Sequence, residues 1–161
     1  MRLVRNRNCA AAALAVSIVS AVALATLGSP HALAVDTVMS KDAPDLTSVR
    51  AKIKAKDYQA ALTELKVLAD THQHADVYSL MGFSLRKTGD YPTALTFYKK
   101  ALDFDANHKG AREYLGELYV ETGDPPKARE QLVVLEKLCP QGCEEREDLE
   151  KALASPQPKT N

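Results

Sequence analysis

An all-α fold of stacked helix pairs is predicted by three observations. Residue types recur at a 34-residue stride: Gly82 and Gly116, Gly89 and Gly123, Asp90 and Asp124, Ala94 and Ala128. The same Thr-Gly-Asp turn closes the first helix of two successive units, at 88–90 and 122–124. The composition is rich in Ala, Leu, Lys and Glu and holds no Trp, which favours helix over sheet. A fixed period of this length is what a helical repeat array leaves in a sequence.

The N-terminus comes first in chain order. Arg2, Arg5 and Arg7 precede an uncharged run, Ala10 to Leu27, and Gly28-Ser29-Pro30 then breaks the pattern ahead of Ala32-Leu33-Ala34. A basic start, an apolar middle and a small-x-small ending predict a secretory signal peptide over residues 1–34, cleaved after Ala34. The alternative is a retained membrane anchor. The run of 18 residues stands at the bottom of the spanning range, and Ser17, Ser20 and Thr26 dilute it. Residues 35–44 are expected to be a flexible segment. With the three arginines removed, 18 basic residues face 21 acidic ones, a net charge of −3. A nucleic-acid partner, which calls for a basic surface, is therefore not expected. Nor is stable membrane insertion expected once the signal is cleaved.

The helical domain is expected over 45–154, in units of about 45–74, 75–108 and 109–142 with a capping helix at 143–154. In the second unit Asp76 to Lys87 reads as helix, Thr88-Gly89-Asp90 as turn and Tyr91 to Phe104 as helix. Gly89 suits the left-handed backbone that ends a helix, and Asp90 suits the cap that begins the next. Pro92 and Pro125-Pro126 fall in first turns, where a missing N–H costs little. The third unit repeats the pattern with Ala111 to Glu121 and Pro125 to Leu138. Gly82 and Ala94 are expected to let their helices approach closely, with Tyr78, Leu85 and Tyr98 filling the space around them.

These residues resemble the tetratricopeptide repeat. The second unit supplies Tyr78, Met81, Gly82, Leu85, Ala94, Tyr98 and Ala101; the third supplies Leu115, Gly116, Tyr119, Ala128, Leu132 and Pro140. Arg112 replaces the first aromatic of the third unit and Leu132 its second, and Ala106 stands where Pro would close the second unit. Lys56-Asp57-Tyr58-Gln59-Ala60-Ala61-Leu62 echoes 89–95 at an offset of 33, so a first, atypical unit precedes. Its opening helix spans roughly Asp45 to Ala55 and lacks the Leu-Gly pair. Terminal repeats deviate because one side faces water. Glu144 to Ala154 closes the array as an amphipathic helix with Leu149 and Leu153 inward. The fold class is thus a tetratricopeptide-repeat helical solenoid of about three helix pairs plus a C-terminal capping helix, followed by a polar tail at 155–161 expected to be disordered.

The resemblance implies a function in binding. In this family the first helix of each pair lines the concave, ligand-binding face. On a 100° projection, Glu113, Glu117 and Glu121 lie nearly opposite the stripe of Leu115, Gly116 and Tyr119, as an acidic ridge. The matching positions in the second unit are Ser79, Phe83 and Lys87, with Arg86 beside them. These seven residues are the candidate partner-binding set. Phe83 stands out because an outward aromatic is costly unless covered. The alternatives are an ordinary solvated face for the glutamates and packing on the next repeat for Phe83. The family's best-known mode grips a C-terminal carboxylate with Lys, Asn and Arg. Glu113 and Glu117 here favour a basic or mixed-charge segment instead.

Cys139 and Cys143 flank Pro140-Gln141-Gly142. In a secreted chain such a pair reads first as a disulfide, worth about 2 kcal/mol for so short a loop. Free or intermolecular thiols, and a redox or metal-binding role, are the alternatives. Cys9 leaves with the signal. His72 and His74, two apart, do not share a helix face and read as solvated junction residues, and His108 has no obvious partner. No nucleophile triad, phosphate-cradling loop or paired metal motif is visible, so neither an enzyme nor a cofactor or metal is expected. The expected function is a periplasmic protein–protein interaction scaffold that takes a peptide or protein in its groove. The other readings are an assembly factor acting through its outer faces, or a thiol-redox protein.

Overall fold

A computed structural model describes residues 43–155, which form one helical unit. The expected signal peptide with Cys9, residues 35–42 of the flexible segment, and the tail beyond Ser155 lie outside the described residues. Among the described residues seven α-helices follow in order: α1 (Thr47–Lys54), α2 (Tyr58–Thr71), α3 (Ala75–Lys87), α4 (Tyr91–Phe104), α5 (Lys109–Glu121), α6 (Pro125–Leu138) and α7 (Glu144–Ala154). No strand occurs among the described residues. Helices α1–α2, α3–α4 and α5–α6 pack as successive pairs; α3 also lies on α2 and α5, and α7 lies on α5 and α6.

Local chemistry explains the boundaries. Asp57, Asp90 and Asp124 each accept a hydrogen bond from the backbone N–H three residues on, at 3.1, 3.2 and 3.3 Å, and so start the second helix of each pair. Before Asp90 and Asp124 stand Gly89 and Gly123 at φ 88° and 80°. The first unit puts Lys56 in the same conformation, at φ 60°. Histidine opens the first helix of two pairs: His74 Nδ1 accepts from Asp76 N–H, and His108 Nδ1 from Ala111 N–H. This cap starts α5 at Lys109, two residues ahead of the expected Ala111. Helix α1 is two residues shorter at its start and one shorter at its end than the expected Asp45–Ala55.

The core is aliphatic with aromatic wedges. Ala61, Ala94 and Ala128, 33 and 34 residues apart, are all fully buried. A Cβ placed on Gly82 would come within 2.6 Å of the Tyr98 ring, so α4 can seat that ring only against glycine. In the third unit, where position 132 carries Leu, the space over Gly116 is filled from α7. A Cβ there would meet Leu149 at 2.5 Å. The capping helix therefore inserts a fully buried side chain into the last repeat. Cys139 and Cys143 form a disulfide across the turn from α6 to α7, with Cα atoms 6.0 Å apart.

Candidate functional site

Helices α3, α5 and α7 line a groove of about 660 Å³, to which α1 adds Arg50. Seven carboxylates and four basic side chains border it, so its balance is acidic. Of the seven candidate residues, Ser79, Phe83, Arg86, Lys87, Glu113 and Glu117 line this groove, and Glu121 is tied to it through Arg86.

Arg86 is no free rim cation. Its side chain is only 1% exposed, and its guanidinium pairs with Glu117 and, at 2.6 Å, with Glu121. The same group lies 5.6 Å from the Phe83 ring centre and 5.9 Å from that of Tyr114. Arg86 thus fastens α3 to α5, and Glu117 and Glu121 are spent in that contact. Phe83 is half-buried, with its ring centre 4.8 Å from that of Tyr114 and 6.3 Å from that of Tyr58. It packs on the next repeat while one side still faces the groove. Lys87 remains exposed, its ammonium 5.3 Å from the Phe83 ring centre.

Two further expectations need correction. Ser79 is buried rather than presented on an outward face, and its hydroxyl has no hydrogen-bond partner among the described residues. Glu113 is only 8% exposed, not part of a solvated ridge. The projection assigns one buried face to a helix, but α5 is covered on several sides by α3, α4, α6 and α7. Burial, then the neighbouring charges of Glu117, Asp148 and Glu145, push the Glu113 carboxyl up to about 8 against the pull of Arg86. Burial likewise raises the Tyr114 phenol to about 12.

One end of the groove carries a network the sequence reading missed. His108 Nε2 lies 3.1 Å from Asp76 Oδ1, with His74 at 3.3 Å and Arg50 at 3.9 Å from the same carboxylate. The hydrogen bond from His108 holds Asp76 below the usual carboxylate range, ahead of the opposing effect of burial. His74 and His108 are therefore built into helix starts and an inter-repeat contact, rather than solvated or unpartnered. A signal was present: Asp76 and His108 are 32 apart, Arg86 and Glu121 35, close to one repeat stride. Arg112, in place of an aromatic, donates to Gln131 Oε1 at 2.8 Å and to the Ala106 carbonyl, at the junction where Pro is absent.

Among the described residues, no three His, Cys, Asp or Glu side chains are grouped to hold a metal ion, and no helix is long and apolar enough to cross a membrane. Residues 85–138, from the end of α3 through α6, match the family model described as Tetratricopeptide repeat. None of the curated proteins compared matches the chain. Paired helices at a 34-residue stride, small residues at their crossings and this match over residues 85–138 agree on a tetratricopeptide-repeat helical array.

Proposed function

We propose that this protein is an extracytoplasmic adaptor whose α3–α5–α7 groove holds an extended segment of a partner protein. The family supports a protein-interaction role in general, and the single observation that carries the finer reading is the groove itself. It is a concave surface of about 660 Å³ with an aromatic wall, Phe83 and Tyr114, and an acidic border. Half-exposed aromatics beside charged groups are the usual anchors of a binding surface. Location outside the cytoplasm rests on the N-terminal pattern of residues 1–34. Catalysis has no support in the side chains brought together here.

A photo-crosslinking residue at Lys87, on the groove rim, tests the reading in the native cell against the same residue at Val67, on α2. A discrete adduct from position 87 and none from 67 is expected. Mass spectrometry of the same material should find a chain beginning at Val35. An adduct from 67 alone would transfer the function to the outer face. That second reading has one observation behind it: Val67 on α2 and Val133 on α6 are 66% and 46% exposed.

A further inference from the structure

We propose that the groove seats one cationic side chain of the bound segment, a Lys or Arg, on the Glu113 carboxylate between α5 and α7. This rests on the groove reading above and names the chemistry the groove selects.

Most charges around the groove are already satisfied. Arg86 holds Glu117 and Glu121, Lys109 lies 3.7 Å from Glu145, and Arg50 lies 3.9 Å from Asp76. Asp148 accepts from Lys151 at 2.8 Å. Glu113 stands apart. It is more than nine-tenths buried, it lines the groove, and no donor among the described residues lies within hydrogen-bonding distance of it. A largely buried carboxyl that meets water only through the groove and has no protein partner is costly, and such groups are normally paired or neutralised.

The surroundings fix the sign of the missing partner. Glu117 on the same helix, Glu145 and Asp148 on α7, and Arg86 on α3 are the charged groups acting on Glu113. Three are negative, and the positive one is committed elsewhere. An anionic or carboxylate ligand would meet repulsion at Glu113 and find no uncommitted guanidinium there; the free ammonium of the groove, Lys87, stands by the Phe83 ring. A cation would pair with the one of these carboxyls that has no partner, Glu113, and the Tyr114 and Phe83 rings would accept the apolar stem of a Lys or Arg. Burial of Glu113 makes the seat selective. In the free protein this carboxyl holds its proton to about pH 8, so a cation that ionises it must send that proton to solvent. A loose attraction to the acidic border would release none.

The test uses the full chain, immobilised and panned against short random peptides that are N-acetylated and C-amidated, so that only side chains carry charge. Selected peptides are expected to share a Lys or Arg at one position, and its exchange for Gln to weaken binding about tenfold or more. The nearly isosteric Glu113→Gln protein should bind the Gln analogue unchanged and lose the preference for the cation. Asp148→Asn should lose a smaller part of it. Affinity for the cationic peptide should rise with pH and level off above about 8 in the wild type only, with proton release seen by calorimetry in buffers of differing ionisation enthalpy. Peptides that crosslink to the groove but show equal Lys-over-Gln preference in wild type and Glu113→Gln would overturn the cation seat and leave the groove reading standing. No selected peptide, or crosslinks confined to other faces, would sink both. A small diamine binding through Glu113 as tightly as the peptide would overturn the peptide assignment.

Discussion

Replacing Gly82 by Ala adds one methyl group where α3 receives the Tyr98 ring of α4. That methyl would lie 2.6 Å from Cδ1 and Cε1 of Tyr98 and 3.1 Å from its Cγ. Ordinary carbon contacts are about 3.5–4.0 Å, so the ring must retreat by about 1 Å. Tyr98 is fully buried, and Tyr114 stands across from it with ring centres 6.2 Å apart, so little room exists for the retreat. Overpacking of this kind costs about 1–3 kcal/mol beyond what relaxation recovers. Ala is the better helix former by about 1 kcal/mol, which offsets part of the loss. The net expectation is a destabilisation of about 1–2 kcal/mol, read as a fall in Tm of about 4–12 °C by far-ultraviolet circular dichroism, with a matching shift in a urea titration. Gly110→Ala is the control. It also lies in a helix, but its new methyl would meet nothing closer than 3.5 Å, so it should be neutral or raise Tm. Tyr98→Leu, the residue type found one stride later at Leu132, should cost less in the Gly82→Ala background than in the wild type, by about 1 kcal/mol. If Gly82→Ala behaves like Gly110→Ala, close packing at this crossing is not what requires glycine.

Glu113 gives the protein a pH dependence. Its carboxyl titrates at about 8 when folded, against an ordinary value of 4.5, so between these limits the folded chain holds more protons than the unfolded one. Stability should therefore fall as pH rises from about 5 to 8 and flatten above. The full shift corresponds to about 5 kcal/mol, which access of water from the groove reduces to about 1–2 kcal/mol. Urea titrations across this range should show the slope, and Glu113→Gln should remove it and be the more stable protein at pH 8. An unchanged slope in the variant would move the effect to other groups. Lys56→Gly relieves a left-handed residue and should stabilise by about 0.5–1 kcal/mol, the gain being smaller than the strain because glycine also loosens the unfolded chain; a lower Tm would contradict this. Replacing Cys139 and Cys143 together by Ala should cost about 2 kcal/mol on loop-closure grounds, with hydrogen exchange rising first in α7.

Much of the helical layout is legible without the structure because its determinants are local. Tyr91–Phe104 and Pro125–Leu138 begin after an Asp cap with Pro in the first turn, Glu144–Ala154 begins after the turn between the two cysteines, and α4, α6 and α7 have these bounds. The candidate site was legible only in part. Phe83 and Lys87 could be placed on the first helix of their pair. The pairing of Arg86 with Glu117 and Glu121, and the link of Asp76 to His108, join side chains about one stride apart, which no single-helix projection compares.

The sequence by itself determined that this is an array of helix pairs, where α4, α6 and α7 start and stop, and which small residues lie at the crossings. Hydrogen-bond caps, glycine turns and apolar spacing act within a few residues, so the linear order contains them. Only the tertiary structure decided which charges are spent and which remain. Stacking wraps α5 on several sides, buries Glu113, consumes Arg86 and brings Leu149 over Gly116. Burial and charge compensation depend on the distance between chain segments in space, and that distance exists only once the helices have packed.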